Sequence, residues 1–216
     1  MRRALRDNGL SIVLFGLFVI ALVGQAMAGW SVYNDDRLQH GLAQIGLFAY
    51  LGSAQFAEAT AENWESEFLQ MAAFVVLTIF LYQRGSSESK DPDKVERVDT
   101  EPTSAPGSPA PVIMGGWVLA LYRNSLSLAF IVLFLLSFLI HGVSGAKLDN
   151  LRRMEHGQPP EALLDYVRGS QFWFESLQNW QSEFLAILAM VVLSIFLRQQ
   201  GSPESKPVAT PHHKHG

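Results

Sequence analysis

The chain is written twice, so its fold must be one that a single sequence unit can adopt two times over. Asn63-Trp64-Glu65-Ser66-Glu67-Phe68-Leu69 returns as Asn179-Trp180-Gln181-Ser182-Glu183-Phe184-Leu185, an offset of 180 − 64 = 116 residues. At that offset 21 of the 36 residues from 55 to 90 are identical without a gap. They include Val75-Val76-Leu77, Ile79-Phe80-Leu81 and Glu88-Ser89-Lys90. Upstream the same offset pairs Asn8 with Asn124, Phe18 with Phe134, Gly29 with Gly145, His40-Gly41 with His156-Gly157, and Tyr50 with Tyr166.

Each copy carries two apolar blocks. Residues 10–28 hold no charge and one strongly polar side chain, Gln25, and their counterpart is 125–142. At about 1.5 Å per residue such a block nearly crosses a hydrocarbon core of about 30 Å. Basic residues before the first block and Ala26-Met27-Ala28 after it also fit a cleaved signal peptide. The equally apolar copy in mid-chain favours a retained helix. The second block, 68–82, is shorter, so a crossing helix must reach back to Asn63 and Trp64. The spacing therefore predicts a helix that begins at the repeated motif, with Trp64 at headgroup depth.

Between the blocks, residues 34–39 read as a polar turn. The stretch 41–57 is ambiguous alone, but its counterpart 157–173 contains Pro159, Pro160, Glu161, Asp165 and Arg168, which lipid would not tolerate. Both are expected to lie on the membrane as amphipathic helices, the second running from Pro160 to Asn179 with a break at Gly169. Residues 85–116 and 201–216 are rich in Pro and Ser, bury little, and read as a disordered linker and tail. The division expected is thus 1–84 and 117–200 as two-span repeats, with 85–116 joining them. The fold class is all-α: four membrane helices from two parallel repeats, plus interfacial helices.

Counting cations orients the arrangement. With the N-terminus in the cytoplasm, the inner segments hold eleven Lys and Arg and the outer loops five, namely Arg37, Lys147, Arg152, Arg153 and Arg168. That agrees with the positive-inside rule and leaves both termini and the linker inside. The repeats then share one orientation, unlike the inverted repeats of many transporters.

The polar residues of the motif are the candidate site. Asn63 and Glu67, like Asn179 and Glu183, stand four apart on one helix face, while Trp64 and Phe68, like Trp180 and Phe184, share another. One reading brings Glu67 and Glu183 together as a cation or polar-ligand site at the outer mouth. The other has Trp64 and Trp180 anchoring the interface while Asn or Ser caps a helix and Glu faces its dipole. Gln25 and His141 are equivalent and suit a contact between helices. Thr78 and Ser194 suit a bond back to the preceding turn. His212, His213 and His215 form a short tail able to bind a metal weakly. Without cysteine, thiolate chemistry and Cys-ligated metals are excluded. A net charge of −4 with no basic stripe excludes nucleic acid as a partner. No phosphate loop, triad or metal-ligand cluster is visible, so neither an enzyme nor a cofactor is expected.

With its Asn-Trp-x-Ser-Glu-Phe-Leu motif and the closing Gln-x-Gly-Ser-x-Glu-Ser-Lys, the chain resembles a family of small bacterial multi-pass membrane proteins of unknown function. The resemblance covers both units and implies an inner-membrane protein; it brings no activity or ligand with it. The leading expectation is a non-enzymatic protein of the envelope that acts by interaction, with the lipid bilayer and further copies of itself as candidate partners. The alternative is a small transporter or channel with paired glutamates at its mouth.

Overall fold

The computed structural model describes the backbone of residues 2–215 and the side chains of residues 6–215. Arg2 and Arg3, counted among the inner cations, have side chains outside the described residues. Every long element is a helix: α1 Arg2–Gln39, α2 Leu47–Leu51, α3 Ala54–Phe80, α4 Ala110–Met114, α5 Gly116–Arg123, α6 Ser125–Glu155, α7 Leu163–Arg168 and α8 Ser170–Phe196. No strand occurs among the described residues.

The repeat survives in three dimensions down to its boundaries. α1 and α6 end at Gln39 and Glu155, α3 and α8 start at Ala54 and Ser170, and both stop at phenylalanine, Phe80 and Phe196. Each of these pairs differs by 116. Asn8 leaves helical geometry inside α1 (φ −131°, ψ 18°), and its counterpart Asn124 (φ −111°, ψ 7°) separates α5 from α6. The local chemistry repeats as well. Asn34 holds residue 45 with both halves of its amide, receiving the Ile45 N–H at 2.8 Å and donating to the Ile45 carbonyl at 3.0 Å. Asn150 does the same to Glu161, at 2.6 and 2.9 Å. Arg37 and Arg153 donate to the carbonyls of Ala43 and Pro159.

These clamps explain where the expectations fail. Residues 34–39 were expected to turn, yet they are the last turns of α1, and the reversal waits for His40-Gly41, where Gly41 takes φ +71°. No long amphipathic helix fills 41–57 or 160–179. Side-chain amides hold the loop backbone in non-helical form, leaving room only for α2, of five residues, and α7, of six. Gly169 does mark a break, as the extended N-cap of α8. The motif opens neither helix. α3 has run nine residues before Asn63, so Asn63 and Ser66 cap nothing, and Ser66 bonds back to the Asn63 carbonyl within the helix.

Among the described residues, three helices are long and apolar enough to cross a membrane: Arg6–Gln39, Ser125–Glu155 and Ser170–Phe196. Their most apolar windows are only 6%, 17% and 6% buried within the protein. Four were expected, and α3 falls short by composition. It carries Glu62, Glu65 and Gln70 where α8 has Gln178, Gln181 and Ala186.

By packing, the residues form two compact units, one of Met1–Thr60 with His141–Leu163, the other of Ala61–Ile140 with Leu164–Gly216. In the first, Tyr50 is buried against Tyr33 and Phe56, and its hydroxyl fills the space over Gly29, where a Cβ would stand 2.2 Å from it. In the second, Phe138 of α6 meets Phe172 and Trp173 of α8 at 5.2 and 6.4 Å between centroids, and Phe134 meets Trp180 at 6.3 Å. These edge-on and tilted aromatic pairs zip the second hairpin, with Phe172 fully buried.

The segments expected to be disordered are described as turns bound by side chains. The Gln-x-Gly-Ser-x-Glu-Ser-Lys sequence folds the same way twice. Ser89 and Ser205 accept from the N–H of Gln83 and Gln199, at 2.8 and 2.9 Å, and Ser86 and Ser202 accept from the N–H of Glu88 and Glu204. The two loops also meet. The Ser86 and Ser194 hydroxyls are hydrogen-bonded at 2.8 Å, and Ser87 donates to the Glu204 carbonyl. Lys206 is buried and donates Nζ to the carbonyls of His212 and Lys214, which holds the tail, and burial pulls its pKa down.

Candidate functional site

α3 concentrates acids on one face. Glu58, Glu62 and Glu65 recur at spacings of four and three, which places them in a row along a helix. The second copy has Phe174, Gln178 and Gln181 at these positions, so the row exists once in the molecule.

In the first compact unit, Glu58 is buried and a carboxylate oxygen lies within 4.8 Å of a ring nitrogen of His141, which is fully buried in α6. The position equivalent to His141 is Gln25, whose amide donates to the Thr60 hydroxyl at 3.3 Å. The equivalence read from the sequence thus holds two polar contacts between helices, one of which has become an acid with an imidazole. A buried carboxylate beside an imidazole can share a proton or hold a cation, and either form is costly without its partner.

In the second unit the motif residues fall into place in an unequal way. Asn179 donates Nδ2 to Glu62 at 2.6 Å, and Trp180 donates Nε1 to the fully buried Glu65 at 3.3 Å. Gln70 donates to the Glu183 carbonyl at 2.9 Å. These pairs are 117, 115 and 113 residues apart, close to the repeat offset. α3 and α8 therefore run parallel here with equivalent residues nearly level. Glu67 and Glu183 are close enough for their charges to act on one another. Of the first copy's motif, Asn63, Trp64 and Glu67 are exposed, while Asn179 and Trp180 reach Glu62 and Glu65 of the acid row. Sequence reasoning passed over Glu62 and Gln70, and took Glu65 against Gln181 and Glu58 against Phe174 only as a sign that the halves differ, because it weighed residues that match between the copies. The signal lay in the mismatch: three acids at positions where the second copy has Phe174, Gln178 and Gln181.

A separate cleft opens in the first unit. Its volume is about 540 Å³, and its walls include Gln25, Tyr33, Asp36, Tyr50, Gln55 and Arg152. Asp36 and Arg152 occupy equivalent positions in the two copies with opposite charge. Asp36 also raises the pKa of His40, first through its backbone carbonyl and then through its charge. Burial, and then Tyr33, push the Tyr50 phenol up, so it stays neutral. A third group of charges gathers at the tail, where Arg84, Asp91, Asp93, Lys94, His213, Lys214 and His215 surround a smaller hollow. There Arg84 pairs with Asp93 and Lys94 with Asp91, and no cluster of three metal ligands forms from His212, His213 and His215 among the described residues.

Over residues 1–216 the chain matches the family described as "Domain of unknown function (DUF6766)", and it belongs to that family. No curated protein and no solved structure matches it.

Proposed function

We propose that this member of the DUF6766 family is an integral protein of a bacterial inner membrane that crosses the bilayer four times and acts by interaction, without catalysis. One observation carries the membrane reading: the apolar faces of α1, α6 and α8 are left bare by the protein itself. In water, so much contiguous exposed apolar surface would drive aggregation, whereas lipid covers it at no cost. α3 is the fourth crossing because its ends coincide with those of α8 and because its acids are met by Asn179 and Trp180. Polar groups inside a bundle are tolerated when paired. Both termini and residues 85–116 then lie on the cytoplasmic side, as the cation count requires. Extraction of membranes with carbonate tests the first part. The protein should remain in the pellet and leave it only with detergent; release by carbonate alone refutes the reading.

A second function, a small proton- or cation-coupled transporter, is favoured by the acid row itself. Ionisable groups at membrane depth mark ion pathways more often than not. Proteoliposomes decide between the two. A flux lost on changing Glu58 and Glu65 to Gln, in protein that stays folded, makes it a transporter; absence of any proton or monovalent cation flux leaves the interaction reading.

A further inference from the structure

We infer that the cleft of the first unit binds the headgroup of a zwitterionic phospholipid of the ethanolamine type, its phosphate on Arg152 and its ammonium on Asp36. This rests on the membrane reading above.

The cleft offers both charges that such a headgroup needs. Arg152 is exposed at its wall and makes no ion pair among the described residues, so its planar fork is available for phosphate oxygens. Asp36 shares the wall, and its side chain is 64% exposed, with His40 Nδ1 at 3.6 Å from its carboxylate. Tyr33 and Tyr50 line the same cleft, and the Arg37 guanidinium already stands 5.8 Å from the centre of the Tyr33 ring, a cation against an aromatic wall. Gln25 and Gln55 add amide donors for ester and phosphate oxygens. The volume falls within the range of about 300–1,000 Å³ common for small-ligand pockets.

A lipid is favoured over a soluble zwitterion because one wall continues into apolar surface. Ala28 and Val32 line the cleft, and Val32 is 69% exposed. Following that face of α1 at helical spacing, Phe18 and Leu14 are exposed in turn, a track for an acyl chain. An anionic phosphatidylglycerol would satisfy Arg152 and leave Asp36 facing a neutral polyol beside a phosphate, which costs affinity.

The test uses the full chain purified in detergent. Retention of dioleoyl phosphatidylethanolamine and dioleoyl phosphatidylglycerol is read by native mass spectrometry on equal mixtures. The ethanolamine lipid should be retained about tenfold over the glycerol lipid, the selectivity one charge-assisted contact supplies. Asp36→Asn should bring the two to parity, Arg152→Gln should weaken both, and Arg152→Lys should restore part of the binding. Both sites are exposed, so the variants should keep the circular dichroism and elution of the parent. Equal retention by the parent chain, or an unchanged preference in both variants, overturns the inference. Soluble glycerophosphoethanolamine in large excess should not displace the lipid; displacement by an equimolar amount overturns the lipid assignment. Carbonate extraction is scored separately, so lost selectivity in a membrane-bound protein sinks the headgroup site alone.

Discussion

Gly85 and Gly201 show how one residue in two equivalent places acquires two roles. Both open the Gln-x-Gly-Ser turn at nearly the same positive φ, +84° and +85°. In that region a Cβ crowds the following carbonyl, so alanine at either costs about 1–2 kcal/mol. Gly85 has a second constraint, since a Cβ there would stand 2.2 Å from the His212 carbonyl, while Gly201 faces open space. Gly85 also donates its N–H to His215 at 3.2 Å. We expect Gly201→Ala to lower stability by about 1–2 kcal/mol, and Gly85→Ala to lower it further and free the C-terminal tail. Thermal unfolding in detergent, with limited proteolysis at the tail, checks this. Equal losses, with the tail still protected in Gly85→Ala, would show that the tail does not pack over residue 85.

Among the elements, α3 and α8 carry the relation between the copies. Their contacts at separations close to 116 bring equivalent residues nearly level up to the Gln70–Glu183 contact, and we expect the same register to bring Ala73 near Ala189 further along. The chain has no native cysteine, so Ala73→Cys with Ala189→Cys should crosslink under mild oxidation or with a short bismaleimide. A disulfide requires Cα atoms within about 7 Å. Efficient coupling of cysteines at Gly16 and Val132 with none at 73 and 189 would reverse the pairing. The segment after α3 makes its own prediction. Asp99 is held below the usual carboxylate range by Lys90, Asp93 by Arg84, and Asp91 by the Asp93 N–H and then Lys94. Carboxyls depressed on folding contribute stability above their unfolded pKa of about 3.9, and that contribution is lost as pH falls through the folded values. The lysine and arginine partners keep their charge throughout. Amide protection between residues 90 and 100, corrected for intrinsic rates, should therefore be present at neutral pH and fall below about pH 4. Protection that is unchanged in acid would mean the ion pairs contribute nothing.

At the scale of the whole molecule, the topology proposed above puts both ends of each hairpin on the same side. Reporter fusions at Ser104 and Pro211 should both read as cytoplasmic, and one at Gln158 as external. Opposite sides for Ser104 and Pro211 would mean that one of the hairpins does not close. The unequal acids add functional asymmetry to this symmetric plan. Glu58, Glu62 and Glu65 have no acidic counterparts, and His141 stands where the first copy has Gln25, so the two copies share a frame and differ in their polar interior.

Repetition by itself determined the helical architecture and the matching helix boundaries of the two halves, because apolar blocks recurring at one offset leave a chain few alternatives. It also named Asn179, Trp180, Glu67 and Glu183, which the structure brings into contact or electrostatic range. Helix boundaries were decided by tertiary contacts of side chains. Asn34 and Asn150 clamp residues eleven positions away and keep the loops from becoming helices, an effect no local propensity encodes. The partners of the motif were decided the same way. Glu62 and Glu65 become a site only when α8 lies against α3, and a residue's neighbours across a helix interface are set by packing, which periodicity along one chain does not contain.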